Sequence, residues 1–530
     1  MERKELQVAS YNYSAGTDLR GAAAGKAATR RALLRTAGRG LAGIAATGLL
    51  AACGTAATAT TASTVTATVT AAPVTVTGAA VTVTGAAVTV ATTVTAAPVT
   101  VATTVTAAAA TVKAGATSVT VLDAWGTGPW TNDLYFGWTQ GLDQALPDVK
   151  VEFIMTGDFK GGSDAKTLAM IAAGTPPDLT LGSDIGFAIK DAIVDLKPYF
   201  DRDKEIGAWQ WYPPCWQYAN IVLDSGHPML WAFPGNSDAR VIYLNLDLLQ
   251  KAGISYDPSK PWDWTAFEEH ARALTKRPSN GVIEQLGFSG LWNLGDPYVL
   301  AQYAGGDFFH YDAQSGWVDK ATFSSAGAQT GLSFYRKLMV EDKVGQLPDE
   351  KFAGSFTSGQ VAMTPSWTSF LSALTPKTNP KLATFKWDVM GYPVQHAGEK
   401  WPNQFANGSQ MGSLVKGTKH LTEAFQVGKY FIGDGHVVRM EAMGAPPIVI
   451  NNAKQQDVWK QRAPGTHYTE VYSAVMAKGS IGLWAKIKLN WDKISTLYGD
   501  NITKLLQGQM AVSDFGATMD SSVNPLLQQS

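Results

Sequence analysis

The 530-residue chain has few of the features that would assign a chemistry outright. It has two cysteines, Cys53 and Cys215, so a cysteine-based metal site has too few ligands. Its most prominent run of small and apolar residues, 41–52, is 12 residues long, short of the roughly 20 that span a bilayer as a helix. Seven histidines are scattered without metal-ligand spacing. No G-x-S-x-G, H-E-x-x-H, P-loop or G-x-G-x-x-G occurs in a supporting context, so no catalytic residue, metal or cofactor is expected. A pair of carboxylates, as a secreted carbohydrate hydrolase would use, stays open because their separation is set by the fold. Strong charge is also missing: the formal net charge is −1. Taking away positions 1–52 removes eight basic and three acidic residues, leaving 35 against 41 and a net charge of −6. A mildly acidic surface without a basic cluster carries no electrostatic footprint for nucleic acid.

What is present begins at the N-terminus. Leu50-Ala51-Ala52-Cys53-Gly54 closes the 12-residue apolar run and reads as a lipobox, in which the Cys53 thiol takes the lipid and cleavage leaves it as the new N-terminus. Upstream, Arg30-Arg31 within TRRALLR (29–35) resembles a twin-arginine export signal, though paired arginines also occur in ordinary signals, and the export route stays open. Residues 1–52 are thus expected to be a signal peptide, and the mature chain to be exported and lipid-anchored to the outer face of the cell membrane. Residues 53–117 are almost wholly Ala, Thr and Val, with near-repeats AAPVTVTG and AAVTVTG. Lacking aromatic and leucine anchors, this tract reads as a disordered linker or stalk with a reach of roughly 40 to 50 Å. Its Val/Thr alternation leaves a strand array as the alternative.

Composition changes at Ser118. SVTVLDAW (118–125) predicts a strand, 133–146 a helix, 149–155 a second strand, 165–173 a helix ending at Gly174-Thr175-Pro176-Pro177, and 178–181 a third strand. Strand, helix, strand, helix, strand indicates an α/β fold with a parallel sheet. Cys215, within WYPPCW (211–216), is expected to be a buried structural thiol.

Several segments then resemble family 1 extracellular solute-binding proteins, the receptor components of ABC importers, whose best-known relatives bind maltose and other sugars. KTLAMIAAGTPPD (166–178) is similar to the family's KLLAALAAGTAPD. Residues 232–234 with VIYLNLDLL (241–249), Gly253-Ile254 and the helix start at Trp264 follow in the family's order. So do FTSGQVAM (356–363) with its trailing Trp367, LVKGTKH (414–420) with Ala424-Phe425, and QGQM (507–510). The likeness covers roughly 118–530. Departures are the stalk, the Trp-rich stretch 209–216, and Leu244 where Tyr is usual. The resemblance implies a two-lobed periplasmic-binding-protein-like fold with hinge crossovers near 233–238 and 407–411. It divides the chain into lobe I (118–235, with a return at 411–455), lobe II (236–410) and C-terminal helices (456–530) mostly on lobe II. It implies a monomer that carries a small solute, a sugar by preference, to the transmembrane subunits of a permease, without chemistry.

A sugar pocket pairs aromatic faces with hydrogen-bonding amides, carboxylates or arginine, and open α/β sheets place ligands at the carboxyl ends of strands. On that recipe Trp125 and Trp130 after the first strand are candidates, and the resemblance implies as further candidates Ser183 and Asp184 after the third strand and Trp292 and Asn293 after Gly287-Phe288-Ser289-Gly290. At the crossings the candidates are Asp238, where the resemblance implies a carboxylate, with Arg240, Trp401, Asn407, Gly408 and Ser409, and Trp367, which trails its strand as the family's binding-site Trp does, is the strongest of all. Trp264, opening a helix, is assigned to packing. Aromatics with acids would also suit a polyamine, and peptides or other solutes remain open. Cys53→Ser is expected to shift the full-length protein from the membrane fraction to the soluble fraction; membrane retention equal to that of the parent would rule out Cys53 as the anchor.

Overall fold

The alternation beginning at Ser118 forms β1 (Thr117–Asp123). A computed structural model describes residues 115–529 except 124–130, 156–161, 183–184, 224, 279–281, 291–294, 375–384, 400–404, 464, 478–479 and 482–485. Helix Thr131–Ala145, β2 (Val149–Met155), helix Gly162–Ala172 and β3 (Leu179–Leu181) follow. β1 lies between β2 and β3 and is parallel to both, as the alternating pattern predicts. Asp178, which closes the GTPPD motif, serves this unit structurally: it accepts the Thr120 amide at 2.8 Å and the Thr418 hydroxyl. The expected signal peptide, Cys53 and the expected stalk up to residue 114 lie outside the described residues.

The remaining strands are β4 (Asn220–Val222), β5 (Pro228–Leu230), β6 (Phe233–Asn245), β7 (Leu286–Phe288), β8 (Phe309–Tyr311), β9 (Val318–Ala321), β10 (Val361–Trp367), β11 (Trp387–Met390), β12 (Phe405–Leu414) and β13 (Ser480–Ile481). One sheet runs β2-β1-β3-β12-β6-β10-β7, with β11 also on β6 and β13 on β12; β4–β5 and β8–β9 are separate antiparallel pairs. β6 is the strand that joins the two ends of the sheet. Its first half pairs with β12, from Phe233 opposite Gly412 to Ala239 opposite Ala406. Its second half pairs with β10, from Arg240 opposite Trp367 to Leu244 opposite Met363, and with β11. β12 passes from β6 to β3 with register shifts between Ser409 and Gly412. Gly412 makes this approach possible, since a Cβ there would stand 2.5 Å from the Thr180 carbonyl oxygen.

Successive side chains of a strand face opposite ways, and β6 uses both faces. Ala239, Val241 and Tyr243 join a first core with β1, β3 and the helices Leu421–Ile432, Ala453–Arg462 and Tyr468–Ala477. Ile242 and Leu244 join a second core with Trp264–Ala273, Asp296–Tyr303, Ala326–Arg336 and the last two helices, Trp491–Leu506 and Val512–Leu527. Trp264 is a packing residue as expected: its ring stacks on Phe334 at 4.3 Å between centroids, and Asp263 caps its helix. Cys215 is fully buried. A third, smaller core holds Ile185, Phe187, Ile221, Met229 and Trp231. The final helix is fastened to β9 and the turn after it. Asn524 accepts the Ala321 amide at 2.8 Å, and Asp520 accepts those of Phe323 and Ser324 at 2.7 and 3.0 Å.

Helix Asp434–Met443 packs beside helix Leu421–Ile432 with His436 wholly buried. Its Nε2 lies 2.8 Å from the Pro446 carbonyl, which can only accept, so the proton sits on Nε2. Burial, reinforced by Arg439, pushes the imidazole pKa down from 6.5 to about 3. The unfolded chain therefore binds one more proton than the folded chain between those values. This contribution is complete above pH 6.5 and is lost as pH falls toward 3. In acid titrations of thermal stability, His436→Gln is expected to flatten the slope across this window by up to about 1.4 kcal/mol per pH unit; an unchanged slope would refute this.

Candidate functional site

Charged residues enter the middle of the sheet where β6 changes partners. Asp238 is in register with Asn407 of β12, and Arg240, two residues on, with Trp367 of β10. Both are buried, at 6% and 3% exposure, so each needs compensation. Asp238 accepts the Thr368 hydroxyl at 2.7 Å and the Ser369 amide at 2.8 Å. The Thr368 oxygen in turn accepts the Ala239 amide at 3.2 Å. The short 3₁₀ turn Thr368–Ala373, which begins where β10 ends, is thereby tied to β6 at the partner change. The Thr368 carbonyl also receives the hydroxyls of Tyr243, at 3.1 Å, and Tyr468.

Arg240 holds its guanidinium carbon 4.2 Å from the Trp367 ring centroid, a cation–π contact strengthened by burial of the cation. Trp367 is itself only partly buried. Asp296, fully buried at the first turn of helix Asp296–Tyr303, accepts the Tyr392 hydroxyl. Burial raises the Tyr335 and Tyr392 phenols far above their usual value; the Asp296 charge adds to that and Arg240 opposes it.

On the β12 side, Arg439 donates to the Gly235 carbonyl and lies in the field of Asp238 and Asp123. Burial brings its pKa down to about 10, and both carboxylates work against that fall. Asp123, fully buried at the carboxyl end of β1, accepts the Tyr135 hydroxyl; burial first, and Asp123 second, push that phenol up. Asp123, Arg439, Asp238, Arg240 and Asp296 therefore form a set of buried charges of both signs around the strand crossing. Trp367 offers a fixed aromatic edge beside them.

Of the candidates from the sequence, Asp238, Arg240 and Trp367 are brought together here. Asn407, Gly408 and Ser409 lie in β12 with their backbones opposite Asp238, Ser237 and Asn236. Trp125, Trp130, Ser183, Asp184, Trp292, Asn293 and Trp401 lie outside the described residues. Sequence reasoning missed Asp123, Asp296, Thr368 and Arg439. The one available signal was Asp123, a carboxylate ending an apolar strand. A separate hollow of about 320 Å³ is lined by Trp211, Pro213, Trp216 and Gln217, from the Trp-rich stretch. Among the described residues no group of three or more His, Cys, Asp or Glu is placed to hold a metal ion. Among them, too, no helix is long and apolar enough to cross a membrane.

Known structures share this architecture. An ABC substrate-binding protein of Listeria monocytogenes, solved with cycloalternan, is 19% identical with a TM-score of 0.61, over 77% of this chain and 98% of that one. Maltose-bound MalE3 of T. maritima is 20% identical with a TM-score of 0.58, over 77% and 99%. The cyclic α-maltosyl-1,6-maltose-binding protein of Arthrobacter globiformis is 17% identical with a TM-score of 0.58, over 78% and 100%. At these identities the likeness establishes the fold, a mixed α/β architecture of the two-lobed solute-binding type. No curated protein sequence matches the chain significantly. The sequence profile of the bacterial extracellular solute-binding proteins matches residues 128–437, more than half of the chain, and the protein belongs to that family.

Proposed function

We propose that this protein is a carbohydrate receptor that closes around a sugar or oligosaccharide and presents it to the transmembrane subunits of an ABC importer. The observation that carries this reading is the partly exposed Trp367 ring, held from one side by Arg240 and positioned by the Asp238–Thr368 hydrogen bond at the place where β6 changes from β12 to β10. An aromatic face with adjoining polar groups is the chemistry that grips a neutral sugar. The sugar ligands named for the structurally similar receptors support it. In this reading lobe I comprises 118–235 and 411–455, lobe II comprises 236–410, and the ligand lies at the crossing between them. Export behind residues 1–52, a lipid on Cys53 and the Ala/Thr/Val-rich stalk moor a monomeric receptor to the outer face of the membrane. It binds solute and leaves it unchanged.

Calorimetry of the full chain against maltose, maltotriose, spermidine and putrescine tests this. Binding of a neutral sugar with little change between 0.05 and 0.5 M salt is expected, whereas a cationic solute would bind more weakly as salt rises. Preference for a polyamine would overturn the carbohydrate assignment, and release of shorter sugars during incubation would overturn the receptor itself. Trp367→Ala is expected to weaken binding of the preferred sugar about 30-fold, on the order of 2 kcal/mol; parental affinity in that variant would remove Trp367 from the site.

A further inference from the structure

The loop joining β8 to β9 is built to present one side chain. Asp312 accepts the amides of Gln314 and Ser315 at 3.2 and 2.7 Å and the Ser315 hydroxyl at 2.7 Å. Gly316, at φ +69°, completes the turn and donates its amide to the Asp312 carbonyl at 2.8 Å. The side chain presented is Trp317, and it does not pack where its hairpin packs. Phe309, Val318 and Ala321 belong to the second core. Trp317, at 3% exposure, belongs to the third, among Ile185, Phe187, Ile221 and Met229. Its indole Nε1–H donates to the Val222 carbonyl of β4 at 2.7 Å.

The second core also steadies the ring. Ile487 is buried in that core, and the lysines on either side of it, Lys486 and Lys488, place their ammonium groups 5.7 and 5.5 Å from the Trp317 ring centroid. Both distances are within cation–π range. Burial lowers the Lys486 pKa, as expected for an ammonium drawn against an indole away from water. A hollow of about 130 Å³ remains around the plug, lined by Ile189, Leu223, Trp317 and Lys488.

We propose that Trp317 is an interlobe latch. It is carried by lobe II and held by Lys486 and Lys488, and it seats in the Ile185–Trp231 cluster of lobe I when the lobes close and withdraws when they open. This rests on the lobe division given above but not on the identity of the solute. Seating buries a large aromatic surface and makes one hydrogen bond, both lost on opening, so the latch biases the receptor toward closure and raises the fraction competent to retain solute.

Hydrogen exchange of the full chain, with no solute added, tests the latch. In Trp317→Ala, amides of 220–230 are expected to exchange about tenfold faster or more, while those of the helices Trp491–Leu506 and Val512–Leu527 keep parental protection. Trp317→Phe, which keeps an apolar plug and deletes the N–H donor, is expected to lie between the two. Should Trp317→Ala loosen its own hairpin, the Phe variant decides: parental exchange at 220–230 with an intact hairpin would overturn the proposal. Opening itself is read by pulsed electron paramagnetic resonance. Spin labels go on Lys190→Cys and Lys320→Cys in a Cys53→Ser background, with and without Trp317→Ala. A second, longer distance population is expected when Trp317 is removed, and an unchanged distribution would refute the latch. Failure to bind any sugar in calorimetry would leave these outcomes intact, so the two readings fail separately.

Discussion

The architecture depends on how β6 changes neighbours without breaking. Between Ala239 and Arg240 the strand leaves β12 and takes up β10, a place where a sheet would ordinarily have frayed backbone. Asp238 prevents this by drawing the Thr368 hydroxyl and the Ser369 amide against β6, while Thr368 answers the Ala239 amide. One buried carboxylate therefore fixes the end of β10, and with it the position of Trp367. Removing the Thr368 hydroxyl would leave this buried carboxylate short of a donor, at a cost of about 1–3 kcal/mol or more because the acceptor is charged.

The charges around the crossing are of opposite sign and act on common neighbours. Arg439 lies in the fields of Asp238 and Asp123, Arg240 packs against the indole of Trp367, and Arg240 and Asp296 act in opposite senses on Tyr392. Buried ionic groups of this kind add little net stability. Their contribution is geometric: they hold polar groups and an aromatic edge in one arrangement, which is the preorganisation a binding site needs. The helix Tyr468–Ala477 reinforces the arrangement from the first core. Tyr468 reaches the Thr368 carbonyl, and Tyr472 meets Tyr212 and the Pro447 carbonyl.

Local pattern made the first three strands and the burial of Cys215 legible in the sequence, because alternation and an apolar neighbourhood are short-range signals, and a helix start read with the family likeness did the same for the packing role of Trp264. The family likeness added the order of the elements, and it led to Asp238, Arg240 and Trp367. Asp296 and Arg439 were not legible, since their partners are Tyr392 and Gly235, roughly a hundred and two hundred residues away along the chain. Trp317 was invisible for the same reason. It sits before an ordinary hairpin strand, and only the tertiary arrangement sends it into a different core from that of Val318.

The long sequence span of the second core bears on how the protein is made. The second core contains residues from Ile242 to Val523, and the amides of Ala321, Phe323 and Ser324 find their acceptors on the last helix. While the ribosome still encloses that helix, half of the molecule has neither its full apolar filling nor a cover for the β9 edge. Maturation of this core therefore waits for Val512–Leu527 to emerge, and any assistance the nascent chain needs must persist at least that long.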